Sequence, residues 1–287
     1  MHWIIEPGFF GSQPVQLALG IGAAVAVVSA IVGVFTVVRG QSFAGHALTD
    51  VATAGGSAAF LLGLSPVIGF VGISLIGSAS MDAIGVQRVR GRDLATGIVL
   101  GAATGLAALL LYLDTTSTAT TGAAQQVLFG SVFTATPSTI PIVAGFGAAA
   151  LGLLALLYRP LLLASADPEL AAARGVPVRL VGIGFLLALA VAVGLSSLVI
   201  GTILSTALLI GPAAAALRLT RSLGAAIGLA VAIGVAATWI GVLLAYDSVS
   251  WSADRQGLPV SFFIVAVTFV VYLLSGLPAR RRADGGR

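Results

Sequence analysis

The sequence predicts an all-α, polytopic transmembrane helical bundle, and three observations carry that prediction. Hydrophobic residues make up 58% of the chain and charged residues only 8%, with a mean hydropathy of +1.10; a soluble domain would carry roughly 25% charge. Several apolar runs reach the ~20 residues needed to cross ~30 Å of hydrocarbon. Those runs are continuous rather than alternating, which favours helices over a barrel, because inside lipid each backbone amide must be paired within the chain. The length of 287 residues fits one membrane domain, 1–287.

Taken in order, residues 1–14 form a short interfacial segment, with Trp3, Phe9 and Phe10 suited to the headgroup region. Glu6 and the lack of a basic start argue against a cleaved signal, so the first span is expected to serve as its own insertion signal. Spans are expected at 15–38, 43–64, 66–84 and 93–113. The polar stretch Asp114 to Thr121 is read as a loop, and 123–135 as a re-entrant or interfacial helix too short and too mixed to cross. A fifth span covers 137–158 and stops at Arg159-Pro160. The apolar block 177–217 must hold two spans, with a turn expected near Gly194 to Ser197. Spans at 222–245 and 260–277 follow, and 278–287 is a basic tail. The total is about nine, with eight plus a re-entrant segment as the alternative.

Charge tests this threading. There are fourteen basic residues, all arginine, and with the amino terminus outside every one except Arg255 falls on the cytoplasmic side. That is the asymmetry of the positive-inside rule. The net charge of +4 and pI of about 10.3 therefore reflect topology rather than a nucleic-acid partner. The chain has no cysteine, which excludes disulfides and thiolate metal sites. With no lysine and no GxxxxGK[ST] motif, it carries no nucleotide-binding signature of its own.

His46 and Asp50 are the residues most suited to chemistry. The chain has two histidines, and His46 precedes Asp50 by four residues at the start of the second span. Residues i and i+4 share a helix face with Cβ atoms about 6 Å apart, so imidazole and carboxylate can meet one cation. Ionisable groups within a span are by default candidates for an ion pathway. Nitrogen and oxygen ligands suit Zn²⁺, Mn²⁺ or Fe²⁺. Two ligands make a transient stop rather than a structural site, which is what permeation requires. The alternative is that the pair satisfies itself, or Thr49 and Thr53, in a packed interface. Asp93 is expected to cap the fourth span, and Asp82 to pair with a nearby arginine.

Residues 167–175 predict a short, well-formed helix in a loop. Asp167 is a suitable N-cap, Pro168 fits the first helical position, alanines through Ala173 fill the body and Gly175 stops it. With Glu169 it forms a compact element that either docks a cytoplasmic partner or merely connects two spans.

Four stretches resemble the permease subunits of ABC importers for manganese, zinc and ferrous iron: Ile5-Glu6-Pro7; residues 39–63, similar to the family's segment with G-D-x-L-x-H-A at its centre; DPELAAARGV at 167–176; and VIGTILSTALLIGPAAAALRLTR at 199–221. LFGS at 128–131 and GRDLATGIVL at 91–100 agree more loosely. The family's order of Asp then His is exchanged here for His46 then Asp50. The resemblance implies a single permease domain in the plasma membrane and a translocation path formed by a homodimer. It also implies cytoplasmic ATP-binding subunits docking on the coupling helix 167–175, and an extracytoplasmic metal-binding protein delivering cargo. No permanent cofactor and no enzymatic activity are expected of this chain. A secondary carrier or channel driven by an ion gradient is the second reading; it would favour broken helices in matching halves with deep carboxylates.

Overall fold

The computed structural model describes residues 9–84, 92–117, 121–130, 132–251 and 257–277. Trp3, the Glu6-Pro7 dipeptide, Arg88, Arg90, Arg255 and the tail 278–287 lie outside the described residues.

Every regular element described is helical. After a 3₁₀ turn at Phe9–Gly11, α1 (Gln13–Val38), α2 (Ser42–Leu61), α3 (Pro66–Ile84) and α4 (Arg92–Ser117) follow on short connections. The short α5 (Thr121–Phe129) leads through a 3₁₀ turn to α6 (Thr139–Ala166) and the six-residue α7 (Pro168–Ala173). Then come α8 (Val178–Ile200), α9 (Ser205–Leu219), α10 (Leu223–Trp251) and α11 (Val260–Ser275). Six of these are long and apolar enough to cross a membrane: α1, α3, α4, α6, α8 and α10. Helices α9 and α11 are apolar but shorter. The 20-residue α2 is interrupted by His46, Asp50 and a run of small residues.

Helices α1 and α8 form the centre. Most of the apolar stretch of α8 is buried, as is two thirds of that of α1, whereas α6 is largely exposed. The two central helices are tied by a hydrogen bond between the buried hydroxyls of Ser29 and Ser196, 2.7 Å apart. Small residues let neighbours approach closely. A Cβ on Gly55 of α2 would lie 2.2 Å from the carbonyl oxygen of Gly69 on α3.

Polar contacts define one end of the bundle. Arg39, capping α1, donates to Ser165 at the end of α6 at 3.2 Å. Asp82, at the end of α3, pairs at 3.4 Å with an arginine distant in sequence, Arg179 at the start of α8. Arg218, in the last turn of α9, lies over the Tyr272 ring of α11. Helix α7 sits at this same basic end.

The turn between α8 and α9 lies at residues 201–204, not near Gly194 to Ser197. Ser196 and Ser197 remain helical because their hydroxyls donate to the carbonyls of Ala192 and Val193 at 2.8 and 2.9 Å. What reads in sequence as a polar break is internal satisfaction of a buried helix. From Ser196, level with mid-helix Ser29, the true turn is only about one helical turn further on. Its first half is buried, with Ile200 and Thr202 nearly inaccessible, while Ile203 is exposed.

Unpaired backbone at that depth would be costly, and α5 supplies the partners. The Thr202 and Ile203 amides donate to the Val127 and Leu128 carbonyls at 3.0 and 3.4 Å. This approach requires Gly130 and Gly201, with φ of +88° and +76°. A Cβ on Gly201 would sit 2.2 Å from the Leu128 carbonyl oxygen.

Three further boundaries move. Helix α6 runs through Pro160 to Ala166 instead of ending there; Leu161 and Ala164 are buried beyond the proline, and their packing outweighs one lost backbone bond. Helix α4 continues through Asp114, which is buried on its last turns. Helix α10 likewise runs through Tyr246 to Trp251.

Candidate metal site

Helix α2 presents the candidate ligands because most of its other faces are covered. Ala47, Leu48, Val51 and the small residues through Ser57 are buried against α3, α4 and α8. Phe43 and His46 are exposed and Asp50 half-buried, one strip at spacings of three and four. That strip lies between α4 and α9, and among the described residues no helix closes over it.

Each ligand has a hydroxyl partner on a different neighbour. Asp50 Oδ2 accepts from Thr104 Oγ1 of α4 at 2.5 Å. His46 Nδ1 lies 3.4 Å from Thr206 Oγ1, at the start of α9. With Nδ1 turned to Thr206, Nε2 is the nitrogen left to meet a cation. The two residues do not hydrogen-bond each other. Thr49 and Thr53 do not partner them either, because their side chains donate to backbone carbonyls of His46 and Thr49 at 2.6 and 2.9 Å. A carboxylate accepting from one hydroxyl has lone pairs to spare.

Among the described residues no three or more His, Asp and Glu side chains gather into one cluster. Asp50 and His46 are thus a two-donor set with space beside it. Thr104 and Thr206 were not singled out from sequence, since threonine is common in this chain. Neither spacing nor motif joins residues 104 and 206 to 46 and 50; only the packing of α4 and α9 on α2 does.

The second candidate element forms as its residues predict. The Asp167 side chain accepts from the Glu169 and Leu170 amides, both at 3.0 Å, and Pro168 opens the helix. At the other end, the Gly175 and Val176 amides donate to the Ala172 and Ala171 carbonyls, both at 3.0 Å, with Gly175 at φ +78°. Both termini are therefore satisfied. Ala171 is buried and anchors the helix, while Pro168, Glu169, Leu170 and Ala173 are exposed.

A family model described as the ABC 3 transport family matches residues 12–276. The chain belongs to the ABC 3 transport family. Among its relatives, the manganese import system permease protein ScaB of Streptococcus parasanguinis is 29% identical over 260 residues, covering 91% of this chain and 89% of ScaB. A probable iron transport system membrane protein of Haemophilus influenzae is 28% identical over 268 residues, covering 93% and 97%. The solved structure of PsaBC from Streptococcus pneumoniae in complex with Fab has a chain that superposes with a TM-score of 0.81 at 27% identity, covering 98% of both.

This ABC 3 chain is accordingly the membrane-embedded permease of a metal importer, not itself an enzyme. ATP hydrolysis in such a system belongs to a separate subunit. The match runs over nearly all the described helices, including the α8–α9 turn and α7.

Proposed function

We propose that this ABC 3 permease carries a divalent first-row metal across the plasma membrane, with His46 and Asp50 as a transient stop on the path. The observation that carries the reading is the strip of α2 bearing both ligands, which no described helix covers and which is flanked by the hydroxyls of Thr104 and Thr206. Nitrogen and oxygen donors accept manganese, zinc and iron alike. Relatives named for manganese and for iron support cargo of this class, with manganese first.

In the same reading two copies of the chain face one another across the strip and double the donor set. The chain crosses the membrane about nine times, counting the α8–α9 hairpin as two crossings. The basic end is cytoplasmic by the positive-inside rule and the amino terminus lies outside. Cytoplasmic ATP-binding subunits dock on the exposed α7, with Asp167, Pro168, Glu169, Ala173 and Gly175 shaping the contact. An extracytoplasmic metal-binding protein delivers cargo to the opposite face.

The test is metal uptake by vesicles containing this chain, its ATP-binding subunit and the binding protein. ATP-dependent accumulation of Mn²⁺, competed by Fe²⁺ or Zn²⁺, is expected. Accumulation driven by an ion gradient without ATP would contradict it.

A further inference from the structure

From the basic end of the bundle we infer that Arg39 is a positioning residue that couples α7 to the metal-bearing helix α2. The inference rests on the proposed docking role of α7, and two rigid joints and one side chain carry it.

The first joint connects α1 to α2. Gly40 has φ +64°, its amide donates to the Val37 carbonyl at 3.1 Å, and the Gln41 amide reaches the Thr36 carbonyl at 2.9 Å. These are the two bonds of a Schellman turn with glycine at its left-handed position. The Gly45 amide then donates to the Gln41 carbonyl at 3.0 Å, so α2 begins with no slack. His46 lies four residues into α2, about 6 Å along its axis.

The second joint connects α6 to α7. Asp167 is at once the C-cap of α6 and the N-cap of α7. Its amide donates to the Leu163 carbonyl at 3.0 Å, and its carboxylate holds the first two free amides of α7. A displacement of α7 therefore moves the last turn of α6, where Ser165 sits.

Arg39 bridges the joints. It caps α1 one residue before Gly40, donates from Nη1 to Ser165 Oγ at 3.2 Å, and its guanidinium carbon lies 5.2 Å from the Phe185 ring centre of α8. Ser165 in turn donates to the Leu161 carbonyl, one turn back in α6. The cation thus sits at the carboxyl ends of α1 and α6, where helix dipoles favour positive charge, and against an aromatic face. A planar, multi-donor side chain suits this three-way contact in a way lysine does not. The alternative role, plain capping of α1, would involve neither Ser165 nor Phe185.

Two readouts on the full chain test this, and the first needs no transport. In amide exchange of the membrane-inserted chain, Arg39→Ala is expected to lower protection about tenfold both at residues 42–45 and across 168–173. Ser165→Ala should lower it at both segments to a smaller extent. Loss at 42–45 alone would overturn the inference, because it marks a local cap. If Arg39→Ala does not insert, Ser165→Ala and Phe185→Leu decide the matter by the same criterion. The second readout is Mn²⁺ taken up per ATP hydrolysed in vesicles with the ATP-binding subunit and binding protein. Arg39→Ala should lower the ratio about fivefold with the complex assembled and hydrolysis continuing, and Arg39→Lys should restore only part of it. An unchanged ratio, or proportional loss of both activities through dissociation, overturns the inference. Should the exchange pattern hold while wild-type vesicles take up no metal, the tie between the joints stands and the importer reading falls.

Discussion

Thr104 reaches Asp50 from another helix: its hydroxyl lies 2.5 Å from Asp50 Oδ2, and 2.8 Å from the Leu100 carbonyl oxygen one turn back in α4. The orientation of the carboxylate is thus fixed by the packing of α4 on α2 rather than by α2 alone. A ligand held in this way meets a cation without first losing rotamer freedom.

Thr104→Val removes that hydroxyl and preserves the volume. Partners that orient a metal ligand are typically worth 10–100-fold in metal affinity, so KM for Mn²⁺ uptake should rise about tenfold while ATP hydrolysis is kept. An unchanged KM would reduce the bond to packing.

The exchanged ligand order can be reversed. His46→Asp combined with Asp50→His keeps one imidazole and one carboxylate a helical turn apart, but puts the acid beside Thr206 and the ring beside Thr104. Transport should persist with an altered ratio of Mn²⁺ to Zn²⁺ uptake. An identical ratio would mean that neither hydroxyl influences selection.

Gly201→Ala should destabilise the fold by about 1–3 kcal/mol, because φ of +76° is strained for alanine and its Cβ would meet the Leu128 carbonyl oxygen at 2.2 Å. Thermal unfolding in detergent checks this against Gly224→Ala, where a Cβ meets nothing within 4 Å. Equal melting of the two variants would argue against the α5 clasp as a structural element.

Asp167→Ala removes the cap from α7, worth about 1 kcal/mol, and Asp167→Asn should largely keep it. Co-purification of the ATP-binding subunit should weaken in the alanine variant and survive in the asparagine one. Glu169→Arg leaves the cap in place but reverses charge on the exposed face, and should uncouple uptake by disturbing the same contact. Unaltered association in both Asp167→Ala and Glu169→Arg would detach α7 from that role.

Much of this was legible in the chain before folding. Continuous apolar runs punctuated by Arg39, Pro66 and Asp93 mark α1 to α4 within a few residues, since those residues act locally. Asp167, Pro168 and Gly175 spell out α7 because capping depends on neighbours in sequence. In sequence Ser196 and Ser197 look like a break and hide the α8–α9 turn, although they bond their own helix and Ser29. The true turn is supported by Val127 and Leu128, more than seventy residues earlier in the chain. Thr104 and Thr206 were invisible for the same reason, as was the helical course of Asp114. Contacts between distant helices leave no periodic trace.

The most direct test of the account is uptake of Mn²⁺ by vesicles carrying His46→Ala with Asp50→Ala, together with the ATP-binding subunit and the binding protein. Insertion and assembly should match the wild type while ATP-dependent uptake is abolished. Wild-type uptake by the assembled double variant would contradict the claim that this pair lines the metal's path.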